Sequence, residues 1–519
     1  MFRTAELRRK LPKQDYHQQV PQLREELLTV QMELRKADFP VIVVFAGVDG
    51  AGKGETVNQL HEWLDSRWLV ARAFSEPSDE ERDRPEYWRF WRELPSKGRM
   101  ALFLSSWYSM PILDHVYGHI GLAEFDERLE RIKAFEKTLA DDGALILKFW
   151  MHLSREAQKD RLRKLEKNPL LHWRISKRDW QHWELYDQFM AAAERTIMKT
   201  STGLAPWKII EGYDERYRSI AVATIIRDAI RFRLDEAGKA SIGSNGDASA
   251  RSKPAATEVS DSPPVTILSR LDMSKTLAKG DYEADLKRYQ AKLNQLQRAA
   301  REHKVSTILV FEGWDAAGKG GSIRRITAAL DARDYQVIQI AAPTDEEAAH
   351  NYLWRFWRHI PRAGKVTIYD RSWYGRVLVE RIEGFAGTRE WQRAYAEIND
   401  FEAQLVEGGI VLLKFWLHIT SDEQLCRFKE REQISYKAWK LTEEDWRNRE
   451  RWADYEMAVN DMIERTSTRQ APWTLVEAND KRYARIAVLR MLCERLEAAL
   501  VSHSGRVRSN HKDAKLSKV

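Results

Sequence analysis

Seven residues, Gly313-Trp-Asp-Ala-Ala-Gly318-Lys319, have the types and spacing to cradle a phosphate. Glycines let successive backbone N–H groups turn toward one anion, and a helix starting there adds its positive end. Gly318, Gly320 and Gly321 supply that freedom. Lys319 adds a mobile cation. In most such loops a Ser or Thr follows the lysine and its hydroxyl binds magnesium. Here Gly320 stands in that place, so a metal needs another ligand, and Asp315 inside the loop is the natural candidate.

Asp370 and Arg371 come next, at the end of the apolar run Lys365–Asp370. A carboxylate at a strand tip is a hard oxygen ligand for magnesium. A neighbouring guanidinium pairs with a phosphate through two parallel hydrogen bonds. Further on, Leu425–Trp446 is strongly basic. Arg427 and Arg431 share a helix face, Lys429 is close, and Lys437 and Lys440 follow. Such a segment can close over phosphates as a lid. It can equally be a solvated face paired with Glu430, Glu432, Glu443 and Glu444.

These groups sit in one half of a duplication. Phe45–Glu55 (FAGVDGAGKGE) returns as Phe311–Gly321 (FEGWDAAGKGG), 266 positions later. The same offset links Arg89–Trp91 to Arg355–Trp357, Lys148–Trp150 to Lys414–Trp416, and Ala205–Trp207 to Ala471–Trp473. No gap is needed from about Leu11 to about Ile230, so a whole domain is repeated. The first copy keeps Asp49 and Lys53 but has Leu104 and Ser105 where Asp370 and Arg371 stand. Losing such groups at a phosphoryl site costs roughly a hundredfold or more in rate. The first copy is therefore expected to be catalytically silent, with anion binding by Lys53 and Asp49 left open.

The elements that must position these residues follow from periodicity. Each copy opens with a helix (Leu23, Leu27, Leu28 and Met32; Leu286, Tyr289, Leu293 and Leu296). Buried strands follow at Val41–Ala46 and Thr307–Glu312, each running into its glycine loop and a helix. In the second copy further strands are expected at Gln336–Ala341, Lys365–Asp370, Ile410–Ile419 and Thr474–Ala478. Helices are expected at Leu425–Glu432 and Glu443–Glu464. Alternating strands and helices, with strands apolar throughout, predict an α/β fold of parallel sheets flanked by helices. The expected domains are 1–235 and 265–501. A Ser-, Ala- and Gly-rich linker covers 236–264, and a disordered basic tail covers 502–519.

Composition excludes several classes. Hydrophobic residues make up 43% and charged residues 31% of 519, with no apolar run near the roughly 20 residues of a membrane helix. The N-terminus has no secretory leader pattern. Cys426 and Cys493 form neither metal-ligand spacing nor a disulfide framework. A cytoplasmic protein without membrane contact fits. A net charge of +7 favours polyanionic partners without choosing among them. Most of the 20 tryptophans recur between copies and suit packing. His152 and His418 suit a structural role. Lys148 and Lys414, inside apolar strands, suit either an active-site mouth or a buried stem.

Together these residues resemble the polyphosphate kinase 2 family. The blocks EGWDAAGKGG, YDRSWYGRVLVE, LLKFWLHI, YKAWKLTEEDW and TSTRQAPWTLVEANDKRYARI carry the resemblance, which spans almost all of each copy. It implies two tandem P-loop kinase-like domains, each with a helical lid. It implies transfer of the terminal phosphate of inorganic polyphosphate to AMP, giving ADP, with Mg²⁺ or Mn²⁺. Asp315, Lys319, Asp370, Arg371 and a lid arginine, Arg427, carry over as catalytic. Asp370 and Asp315 carry over as metal ligands; Gly313, Gly318, Gly320, Gly321 and Arg431 are the expected phosphate-binding set. A homo-oligomer is compatible, and nucleic acid is not an expected partner. The competing readings are an ATP-dependent nucleoside monophosphate kinase and a non-enzymatic polyanion-binding protein.

Overall fold

Ten strands, β1–β10 in chain order, build two five-stranded sheets in a computed structural model that describes residues 1–170, 172–243, 266–433 and 443–516. β1 is Val41–Gly47, β2 Leu69–Ala73, β3 Met100–Leu104, β4 Leu145–His152 and β5 Trp207–Glu211. β6 is Thr307–Gly313, β7 Tyr335–Gln339, β8 Val366–Asp370, β9 Val411–His418 and β10 Trp473–Glu477. The strand orders are β2-β3-β1-β4-β5 and β10-β9-β6-β8-β7, and every pairing is parallel. The second order is the first read backwards, as a repeat requires. The α/β parallel expectation holds, and strand ends differ from those expected by only one or two residues.

The chain divides into two compact units. One is Met1–Pro77 with Phe90–Ala255 and Asp345–Asn351; the other is Ser78–Arg89 with Ala256–Thr344 and Tyr352–Val519. In each, the central strand is fully buried, Val41–Phe45 in one and Ile308–Phe311 in the other. Such burial on both faces explains why these strands are continuously apolar. The opening helix of the first unit buries Leu23, Leu27, Val30 and Leu34, while Met32, expected on that face, is 63% exposed. The true stripe follows a 3–4 spacing that Met32 breaks.

Three other expectations change. The helix expected at Glu443–Glu464 is two helices, Glu443–Glu450 and Trp452–Thr466. At the break, Arg451 has φ −101° and ψ 27°, and its guanidinium donates to Asp454 and to the Ile382 carbonyl. The closing helix runs from Lys481 to Leu516, through most of the tail expected to lack structure. That stretch contains no proline and one glycine, so little in it stops a helix. The helix Glu215–Gly243 likewise enters the expected linker, whose remaining residues 244–264 lie outside the described ones.

Candidate active site

β6 ends at Gly313, and its backbone lies so close to β9 that an added Cβ would sit 2.5 Å from the Leu417 carbonyl oxygen. Only glycine fits there. The loop then turns through Ala316 (φ 63°) and Gly318 (φ 109°) into the helix Lys319–Thr327. Ala316 is a left-handed residue without glycine's freedom, a strain of roughly 1 kcal/mol or more held by the surrounding structure. Its counterpart in the first unit is Gly50. Lys319 folds back over the loop, its Nζ donating to the Gly313 carbonyl at 2.6 Å and to that of Trp314 at 3.3 Å. Added Cβ atoms at Gly318 and Gly320 would meet open space.

β8 pairs directly with β6, in a register that sets Asp370 opposite Phe311. Parallel strands thus bring Asp370 and the loop to one sheet edge, where ligands collect in open α/β sheets. Arg371 follows with φ 63°, and its backbone N–H donates to the Phe311 carbonyl. Its Nη2 donates to Asp315 Oδ1 at 3.0 Å. Asn448 Nδ2 donates to the other Asp315 oxygen at 3.0 Å, and Tyr455 donates to Asn448 Oδ1. Behind them burial pushes the Glu312 carboxyl up; Ser372 Oγ donates to it at 2.7 Å.

A cavity of about 580 Å³ joins these parts. Asp315, Gly318, Lys319, Gly320, Gly321, Asp370, Arg371, Arg427 and Arg431 all line it. Of the expected set only Gly313 lies outside, on a smaller adjoining cavity of about 70 Å³ beneath the loop. The large cavity also takes Arg324, Lys481 and Arg485, which the motifs did not mark. The duplication did mark them: their counterparts are Asn58, Glu215 and Ser219, just as Arg371 faces Ser105 and Arg431 faces Leu165. Each is a cation in one copy only.

Arg427 has another task than the transition-state role carried over to it. It is 2% exposed. Nη1 donates to the Ala316 and Ala317 carbonyls at 2.9 and 3.0 Å, and Nη2 to those of Ala478 and Asn479 at 2.6 and 2.8 Å. Nε pairs with Glu423 at 2.6 Å. All five donors are thereby used, so Arg427 holds the loop and Arg431 is the helix's cation for the cavity. Lys437 and Lys440 lie outside the described residues.

Lys414 is a buried stem, not an active-site cation. Its Nζ donates to Glu402 at 2.7 Å, to Tyr374 at 2.9 Å and to the Thr466 carbonyl at 2.8 Å. Burial pushes the Glu402 carboxyl up and the Lys414 ammonium down, while each opposes the shift of the other. Lys148, Glu136, Tyr108 and Thr200 repeat the arrangement in the first unit. His418 accepts from Trp314 Nε1 at 3.1 Å, and burial lowers its pKa to about 4. Trp314 stacks on Trp452 with centroids 3.6 Å apart, so this loop tryptophan is packing.

In the first unit Lys53 Nζ donates to the Gly47 and Val48 carbonyls at 2.7 and 3.0 Å and lies 3.4 Å from Asp49. His182, in the place of Asn448, contacts the other Asp49 oxygen at 2.5 Å. Asp49 is held well below the usual carboxylate range; burial opposes this, but Lys53 and His182 outweigh it.

Comparison with known proteins agrees with this geometry. The family model for polyphosphate kinase 2 matches residues 10–237 and again 276–504. A polyphosphate:AMP phosphotransferase of Pseudomonas aeruginosa is 50% identical over 96% of this chain and 99% of its own. One of Pseudomonas syringae pv. tomato is 48% identical over 96% and 99%, and one of Acinetobacter johnsonii 38% over 88% and 91%. Among solved structures, a Pseudomonas aeruginosa protein described as a polyphosphate kinase 2 superposes with a TM-score of 0.85 at 48% identity, covering 96% of this chain and 99% of its own. With the family model matched on both repeats and relatives similar along nearly their whole length, this chain belongs to the polyphosphate kinase 2 family.

Proposed function

We infer that this protein is a polyphosphate:AMP phosphotransferase, moving the terminal phosphate of inorganic polyphosphate to AMP to give ADP. The observation that carries it is a glycine cradle, an acid at a strand tip and a ring of cations around one cavity, in a chain half identical to relatives of that activity. Incubation with AMP and either polyphosphate or ATP tests it. ADP should form with polyphosphate; ADP formed only with ATP would overturn the reading.

The second unit is the catalytic one. Phosphoryl transfer asks for positioning and charge stabilisation more than covalent chemistry. The loop's N–H groups and Lys319 hold the phosphate in transit. Arg371, free to turn from Asp315 toward a phosphate, stabilises charge on the transferring group. Arg324, Arg431, Lys481 and Arg485 give a polyanionic donor successive cations along the cavity wall. Arg427 keeps the loop's carbonyls fixed so that its N–H groups face the anion.

Asp370 and Asp315 are the carboxylates that would hold Mg²⁺ or Mn²⁺. Mg²⁺ is commonly held by one or two carboxylates with waters and substrate phosphate, and two carboxylates facing the same cavity fit. Both Asp315 oxygens already accept protein hydrogen bonds, which favours Asp370 as the direct ligand. When bound, the ion supplies charge neutralisation between donor and acceptor phosphates. The helices Ser421–Glu432 and Glu443–Glu450 border that cavity through Arg431 and Asp445, where a lid would close.

A further inference from the structure

The second unit's phosphate loop faces open space; the first unit's is filled from within. Glu55 stands where the second unit has Gly321, in the first turn of the helix Lys53–Trp63. Its carboxylate accepts from Arg161 Nη2 at 2.7 and 3.0 Å and from Arg218 Nη2 at 2.9 Å. Arg161 is the counterpart of Arg427. Arg218 lies one residue before the counterpart of Arg485, and the shift changes its fate: its side chain is fully buried. It also donates to Thr56 Oγ1 at 3.0 Å and to the Gly212 carbonyl at 3.1 Å.

Two glycines measure the contrast. A Cβ on Gly318 would meet nothing within 4 Å, whereas one on Gly52 would fall 2.1 Å from the Arg218 Cζ. The guanidinium occupies the space beside the loop that the second unit leaves to its cavity. In that unit, a Cβ on Gly321 would approach Arg485 Nη2 at 3.4 Å, so a carboxylate there would meet a cation that now faces the cavity.

We propose that Glu55 is the chain's own anion, a carboxylate taking up Arg161 and Arg218 at the first unit's phosphate loop, so that this loop binds no phosphate and, of the two glycine loops, only the second unit's serves as a phosphate cradle. A buried guanidinium needs a partner. Removing Glu55 therefore uncovers a latent site for an inorganic phosphate anion. The site takes the carboxylate as a fixed ligand and keeps the fold intact without entering the reaction.

Titration of the full chain with tripolyphosphate at physiological salt tests this. Wild type should bind one equivalent, unchanged by Lys53→Ala. Glu55→Gly should bind a second equivalent, and adding Lys53→Ala should weaken that second binding at least tenfold. Wild-type uptake of two equivalents, one sensitive to Lys53→Ala, would overturn the proposal, as would a folded Glu55→Gly chain that gains none. Glu55→Gln keeps the shape without the charge and serves if Glu55→Gly does not fold. It should melt lower than wild type and be raised several degrees more by tripolyphosphate; an unchanged melt with no added shift contradicts the proposal. In the converse experiment Gly321→Glu should cut tripolyphosphate affinity at least tenfold while the circular dichroism stays that of wild type; undiminished affinity counts against it.

Discussion

Arg371 Nη2 reaches Asp315 Oδ1 at 3.0 Å, tying the end of β8 to the phosphate loop at the end of β6. One side chain therefore couples the two strand tips, and its guanidinium is poised where a phosphate would compete with Asp315 for it. Arg371→Ala should lower kcat roughly a hundredfold or more. Arg371→Lys keeps the charge but loses the fork and should recover about a tenth of wild-type kcat or less. Steady-state ADP formation measures both; a lysine variant equal to wild type would mean the fork is not used.

Arg427 and Arg431 should separate. Arg427→Ala leaves four carbonyls without their donor, and should speed amide exchange around Ala316–Ala317 and Ala478–Asn479 besides lowering activity. Arg431→Ala should leave exchange unchanged and raise the apparent KM for polyphosphate, most at low salt. Equal exchange profiles would contradict the structural role of Arg427.

The Lys414–Glu402 pair predicts a stability effect. Glu402→Gln should cost on the order of 3–5 kcal/mol by leaving a buried ammonium without its counter-ion. Replacing both by apolar residues, Lys414→Met with Glu402→Leu, should recover much of that loss. Denaturant midpoints test it; a double variant less stable than either single change would contradict it.

His418 gives the fold an acid sensitivity. Its folded pKa, about 4, lies below the ordinary value of 6.5, because burial favours the neutral ring. Below pH 6.5 the unfolded chain binds a proton that the native one does not, so stability falls as pH drops from 6.5 toward 4. The loss is on the order of 3 kcal/mol over that window. His418→Gln should flatten it, measured as the change in denaturant midpoint between pH 7.5 and 5.0. An identical pH slope in the variant would show that other groups carry the effect.

The sheet was legible because its inner strands, β6, β8 and β9, are buried on both faces and therefore nearly continuous in apolarity. The loop was legible because glycine, lysine and a following helix are local features. Comparing the two copies revealed Asp370 and Arg371, and the same subtraction would have found Arg324, Lys481 and Arg485. Arg427 was misread because its five donors are consumed by carbonyls far away in the chain, and spacing on a helix carries no trace of that. Asn448 and Glu312 were missed for the same reason. Their partners, Asp315 and Ser372, come near only through the parallel crossover. Lys414 stayed undecided until Glu402 and Thr466 were placed beside it.

The most direct measurement is a side-by-side kcat/KM for ADP formation from AMP and polyphosphate in Lys319→Ala and Lys53→Ala. A single working cradle predicts a loss of at least about a hundredfold in the first and under about twofold in the second. Equal losses, or a larger loss from Lys53→Ala, would contradict the assignment of catalysis to the second unit.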